Sequence, residues 1–171
     1  MNETIKTILD RKSVRKFTED VVPQEKLEQI LACAKAAPTA RNMQLRQFTV
    51  ITNKAKIQKF AKIIGKEINN DQYRIYDCAV LIIVSTEESS INGELDCACA
   101  LQNIYLATHA LGLGSVWINQ LRDISFVPEI RKALDDFGLP KNHVVWGMSA
   151  LGVPAEKPPA KERKEKVVYV K

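Results

Sequence analysis

A chain of 171 residues, 46% hydrophobic and 26% charged, is long enough for a real hydrophobic core and has an ordinary globular composition. Its net charge of +5 permits an anionic partner without choosing one, and its longest strongly apolar run, AVLIIV at 79–84, is too short to cross a bilayer. The opening MNETIKTILDRK carries no apolar signal core, so a cytoplasmic protein with no membrane partner is expected.

Residues 3–10 carry Ile5, Ile8 and Leu9 at helical spacing, and residues 24–36 repeat the pattern between Pro23 and Pro38. QFTVIT at 47–52 predicts a strand, and KAKIQKFAKIIG at 54–65 an amphipathic helix. CAVLIIVS at 78–85 is apolar throughout and β-branched, the pattern of a strand buried on both faces. ELDCACALQNIYLATHAL at 94–111 is apolar on nearly every side and belongs in the middle of a fold. GLG at 112–114 ends it, SVWI reads as a short strand, and PEIRKALDDFG at 128–138 as a helix with Pro at its start and Gly past its end. VVWGMSALG at 144–152 and, after a charged Pro-bearing stretch, VVYV at 167–170 read as two further strands. About five helices and five strands in rough alternation suggest, by pattern alone, a parallel α/β sheet. The last strand sits on so long a tether that it can pair at home or on another subunit.

Cys33, Cys78, Cys97 and Cys99 lie inside apolar patterns, which suits reduced, buried thiols rather than a disulfide framework. No partner stands at zinc-ligand spacing, so no metal is expected. His109 and His143 read as structural, and Trp117 and Trp146 as core residues on strands.

RKSVRKF at 11–17 sets Arg11, Lys12, Arg15 and Lys16 around Ser13. This is either a solvated corner or the seat of something negative. Three features bear on the choice. APTARNMQ at 37–44 offers Thr39, Asn42 and Gln44, and amides that both donate and accept suit the edge of a heterocycle. GLGSVWINQ at 112–120 supplies another backbone-rich loop. Lys161 and Arg163 follow two prolines, and with Arg11 and Arg15 they have the chemistry to enclose a phosphate. The residue types fit a phosphorylated heterocycle. A nucleic-acid binder would carry a basic helix or an aromatic-interleaved patch; neither is present, so no nucleic-acid partner is expected.

RKSVRKF, APTARNMQ, LATHALGLGSVWI and ALGVPAEKPP with Arg163 and Lys164 behind it, in that order and spacing, resemble the compact members of the nitroreductase family of flavoproteins. The resemblance covers essentially the whole chain as one FMN-binding domain, 1–171, with a C-terminal arm from about 155. It implies an α+β three-layer sandwich, a mostly antiparallel sheet between helices, in place of the parallel sheet. It also implies an intertwined homodimer in which the C-terminal strand crosses to the partner and two FMN sites lie at the interface. By the family motif, Arg11, Lys12, Ser13 and Arg15 take one side of FMN, with Arg11 and Arg163 on the phosphate and Lys161 as a further candidate. Pro38, Thr39, Ala40, Asn42 and Gln44 would come from the other subunit. Ile118 and Asn119 fall near the flavin ring, and Asn70 is a candidate in the divergent stretch 66–76.

The implied activity is NAD(P)H oxidoreduction. Hydride passes from NADPH or NADH to FMN, and electrons then pass to a nitroaromatic, quinone or related acceptor, with no catalytic side chain required. The alternative is a flavin-binding redox sensor or FMN store. The chain departs from the usual motif PSAGNLQPW at PTARNMQLR: Arg41 replaces a Gly, and Leu45 and Arg46 replace Pro-Trp. Arg41 either reaches into the acceptor slot as a substrate-binding residue or points to solvent.

Overall fold

The computed structural model describes residues 1–160 and 162–171; Lys161, one of the expected phosphate ligands, lies outside the described residues. The helices are α1 (Glu3–Asp10), α2 (Gln24–Lys35), α3 (Lys54–Glu67), α4 (Gly93–Ala110) and α5 (Pro128–Asp136). The strands are β1 (Gln47–Ile51), β2 (Val80–Glu87), β3 (Gly114–Ile118) and β4 (His143–Gly152). Asn2 and Asn53 cap α1 and α3, their side-chain oxygens accepting the N–H groups of Thr4 and Lys56 at 2.8 and 3.0 Å.

The strands form one sheet in the order β1-β2-β4-β3, and every neighbouring pair is antiparallel. The parallel sheet suggested by element alternation is therefore wrong, and the α+β architecture stands. Alternation of helices and strands was the misleading sign, since it does not record strand direction. The apolar run of β2 fits either direction, because an antiparallel strand covered by helices on both faces is as unbroken as a parallel one. Leu81 and Ile83 join the core under α3 and α5, with Phe60, Ile64, Ile130 and Leu134. Val80, Ile82 and Val84 join the core under α2 and α4, with Ile30, Leu101 and Ile104. Helices, sheet and helices thus make three layers.

Helix α4 buries Cys97, Ala100, Leu101, Ile104, Tyr105 and Thr108 against the sheet, yet Leu95, Cys99 and Gln102 are exposed. The expectation of a helix buried on every side fails within one chain. So does the expectation of four buried thiols: all four are free, but Cys33 and Cys99 are exposed on the outer faces of α2 and α4. VVYV at 167–170 pairs with no strand among the described residues, and its four side chains are 72–94% exposed. Among the described residues, no helix is long and apolar enough to cross a membrane.

Candidate functional site

The cationic corner is built by the sheet. After α1 ends, Val14 donates its N–H to the Ser115 carbonyl at 3.0 Å, and Ser13 bridges Ser115 alongside β3. Further on, Thr18 N–H donates to Val153 O at 2.9 Å and Ala155 N–H to Lys16 O at 2.9 Å. The Glu156 carboxylate accepts the Arg15 backbone N–H at 2.8 Å. Residues 13–18 are thereby laid as an extended ribbon on the ends of β3 and β4. The approach is close. A Cβ on Gly114 would sit 2.8 Å from Val14 Cβ, so only glycine admits the ribbon there. Among the described residues, no carboxylate pairs with the side chains of Arg11, Lys12, Arg15 or Lys16. Four unpaired cations on a fixed backbone can hold an anion; a merely solvated run needs no such anchoring.

The second expected group, Pro38 to Gln44, forms a tight loop with a 3-10 turn at Ala40–Asn42. Arg41, Asn42 and Gln44 have φ of 53°, 55° and 52°, in the left-handed region that Asn tolerates and Arg and Gln rarely adopt. Asn42 N–H donates to Thr39 O at 3.0 Å, and Gln44 N–H to Thr39 Oγ1 at 3.1 Å. Gln44 Nε2 donates to Asn42 Oδ1 at 3.0 Å, which leaves the Asn42 amino group and the Gln44 carbonyl oxygen to face outward. Strain held in place by such bonds is a mark of sites that recognise something. Arg41 is exposed at the loop's tip.

Helix α4 measures how far apart these two groups lie. The Ala40 N–H donates to Asp96 Oδ1 at 2.9 Å, fixing the loop at the start of α4. Arg11 follows α1, which lies against the later half of α4, its Thr4, Thr7 and Ile8 lining a groove with Asn103, Leu106 and Ala107; the Arg11 charge acts on Tyr105, nine positions beyond Asp96. Burial pushes the Tyr105 hydroxyl strongly up, and Arg11 partly offsets this. Nine helical residues span about 14 Å. Ile118 ends β3 three residues beyond Ser115, and Arg122, past Asn119, pairs with Glu94 of α4 at 2.8 Å. The sheet thus anchors the ribbon of Arg11–Arg15 beside β3, and α4 holds the Pro38–Gln44 loop at its start, with no hydrogen bond or ion pair joining the two groups among the described residues. A groove of about 360 Å³ lies between α3 and α5 and another of about 420 Å³ between α1, α2 and α4; neither is lined by any of these residues. Arg163 is exposed on the tail.

The remaining candidates sort plainly. Asn70 Oδ1 accepts the Gln72 N–H at 3.1 Å, closing a local turn. His143 is buried with its Nδ1 3.1 Å from Ser85 Oγ, a structural role as expected. Trp146 is half-buried and donates to Thr86 Oγ1 at 2.8 Å, but Trp117 is 58% exposed, against the expectation of a core residue. Its strand lies near the sheet margin, and α4 covers only part of that face. Sequence reasoning missed Asp96 and Glu156, which tie down the loop and the ribbon. The signal for Asp96 was an acid set between Leu95 and Cys97 in an otherwise apolar helix, a place where a carboxylate needs a partner.

The sequence matches the profile of the Nitroreductase family over residues 8–71 and 67–153. It is 32% identical over 160 residues to a putative NADH dehydrogenase/NAD(P)H nitroreductase of Methanothermobacter thermautotrophicus, covering 91% of this chain and 80% of that one. It is 30% identical over 182 residues to an FMN reductase [NAD(P)H] of Bacillus subtilis, covering 95% and 70% respectively. Among solved structures, a nitroreductase with bound FMN from Bacteroides fragilis superposes with a TM-score of 0.91 over 100% of both chains at 34% identity.

Proposed function

Because the chain belongs to the nitroreductase family, we propose that it is an FMN-dependent NAD(P)H oxidoreductase working as a homodimer with a cofactor site at each end of the interface. Bound FMN supplies the redox chemistry, taking a hydride from NADH or NADPH and giving electrons to a nitroaromatic, quinone or related acceptor. The chain's own residues bind and orient. Arg11 and Arg163, with Lys161 as a further candidate, hold the phosphate. Lys12, Ser13 and Arg15 keep positive charge and a hydroxyl where negative charge develops on the ring system. Pro38, Thr39, Ala40, Asn42 and Gln44 of the second subunit, with Ile118 and Asn119, meet the ring and the ribityl chain.

The observation that carries this reading is the separation along α4. The unpaired cations and the strained amide loop are each half of a site for a phosphorylated heterocycle, and a two-fold related copy can bring one half to the other. The donor sets fit the group: cations for the phosphate, one outward amide donor and one acceptor for the ring edge. Solved and curated relatives named for bound FMN and for NAD(P)H reduction of FMN support it further. The exposed VVYV segment adds support for the dimer. From the last fixed point, Ala155, the chain to Val167 can reach about 40 Å. That is ample for the segment to add to the open edge of β1 in a partner.

The test is the visible absorption of the purified protein, before and after anaerobic addition of NADPH. A flavin spectrum that bleaches is expected. A flavin that stays oxidised with both NADPH and NADH would leave an FMN store or sensor, and a protein that takes up no added FMN would end the proposal.

A further inference from the structure

Arg46 stands just beyond the strained loop, at the entry to β1. Its guanidinium donates from Nη2 to Ala37 O at 2.7 Å and from Nη1 to Asp96 O at 2.9 Å, with a longer contact from Nη1 to Pro38 O at 3.4 Å. Its plane also lies 5.8 Å from the centroid of the Phe48 ring. The two ends of the loop, Ala37–Pro38 and Arg46, are thus tied to each other and to the first turn of α4. Asp96 completes the tie from the helix side through Oδ1, which accepts the Ala40 N–H at 2.9 Å. Asp96 is buried in this arrangement.

We infer that Arg46 is a positioning residue for the cofactor loop: its planar fork closes the base of residues 37–46 and so presets Asn42 and Gln44 in the left-handed backbone that presents their amides. The inference rests on the proposed FMN site. Residues with a strained backbone relax when their anchors are removed, and a loop that must be re-ordered on binding weakens the complex. Lysine cannot replace the fork. Its three donors radiate from a single nitrogen, whereas the guanidinium here reaches carbonyls of two separate segments from two nitrogens.

The experiment measures FMN dissociation constants by flavin fluorescence for the wild type, Arg46→Ala and Arg46→Lys. It also measures amide hydrogen exchange at Ala40 and Gln44 in the FMN-free proteins. Both variants should bind FMN more weakly by about tenfold, equivalent to about 1.4 kcal/mol. Both should exchange faster at Ala40 and Gln44 while the exchange of β2 and β4 is unchanged. Millimolar ethylguanidinium should restore part of the affinity of Arg46→Ala. Arg46→Lys keeps the charge and most of the stem, so the comparison holds if the alanine variant folds poorly. Wild-type affinity in Arg46→Lys, or weakened binding with unchanged exchange at the loop, would overturn the inference. If the wild type itself takes up no FMN, the FMN reading fails on its own, and faster Ala40 exchange in Arg46→Lys still upholds the clamp.

Discussion

Gly114→Ala tests whether the cationic ribbon owes its position to the sheet. The added Cβ would stand 2.8 Å from both Cβ and Cγ1 of Val14 and 3.0 Å from Cγ2, where ordinary contact begins near 3.4 Å. A Cβ cannot rotate out of the way, so the ribbon must retreat by about 0.6 Å. The Val14 N–H to Ser115 O bond, now 3.0 Å, would then stretch to about 3.6 Å and cease to be a hydrogen bond. Overpacking of this kind costs about 1–3 kcal/mol, and the lost bond about 1 kcal/mol more. Urea unfolding should show a loss of roughly 2–4 kcal/mol on that accounting. FMN affinity should fall as well, because Arg11, Ser13 and Arg15 move with Val14. Val14→Ala does not relieve the clash, since its own Cβ remains at 2.8 Å. Val14→Gly does. In a double-mutant cycle, Gly114→Ala should therefore cost far less in the Val14→Gly background than in the wild type. Equal costs in the two backgrounds, or unchanged FMN affinity in Gly114→Ala, would refute the argument that this approach sets the corner.

Three other outcomes follow from the site and the core. If Arg41 lines the acceptor slot, Arg41→Ala should raise KM for NADPH several-fold more than KM for NADH, and equal values for both would assign it to solvent. Removing residues 164–171 should shift the protein toward monomer in sedimentation and weaken FMN binding, because the segment proposed to add to the partner's β1 is gone; an unchanged dimer would place the interface elsewhere. His143 is held below the usual imidazole pKa by burial and by Arg131, against an upward pull from Glu87. The unfolded chain therefore takes up a proton first as pH falls, and stability should drop below about pH 6.5. His143→Gln should flatten that part of the stability–pH curve, and a curve identical to wild type would show that other groups set it.

The helices and all four sheet strands were legible because burial leaves a period, 3.6 for α3 and α5 and an unbroken apolar run for β2. Strand direction was not legible, since side-chain patterning records which faces are covered and not which way the chain runs. Nor was the fate of VVYV. Its apolarity predicts pairing, but among the described residues it pairs with no strand. Candidate site residues were found where their chemistry is conspicuous, as in the cations of 11–16 and the amides at 42 and 44. Residues that act through backbone bonds escaped notice. Arg46 looked like a mere departure from a motif, and Glu156 like one charge in a charged tail. Their contacts at 2.7–2.9 Å join segments 9 to 141 residues apart, which no local pattern records.

The separation of the two half-sites along α4 leads to a test that does not depend on the identity of the acceptor. Arg11→Ala should damage the phosphate half, and Asn42→Asp should damage the ring-edge half by replacing an outward amide donor with a carboxylate oxygen. Each homodimer then carries two defective sites. In a heterodimer of the two, shared sites sort unequally: one combines both damaged halves, and the other combines both intact halves. Random mixing makes about half of the dimers mixed, so about a quarter of the wild-type FMN capacity should return on co-refolding equal amounts of the two inactive proteins. Sites contained within single subunits predict no recovery at all, since every subunit in the mixture carries a lesion. Flavin fluorescence titration of the mixed sample, with each parent as a control, separates these outcomes. Recovery near a quarter requires that residue 11 of one subunit and residue 42 of the other serve the same cofactor, and zero recovery would dismantle the shared site.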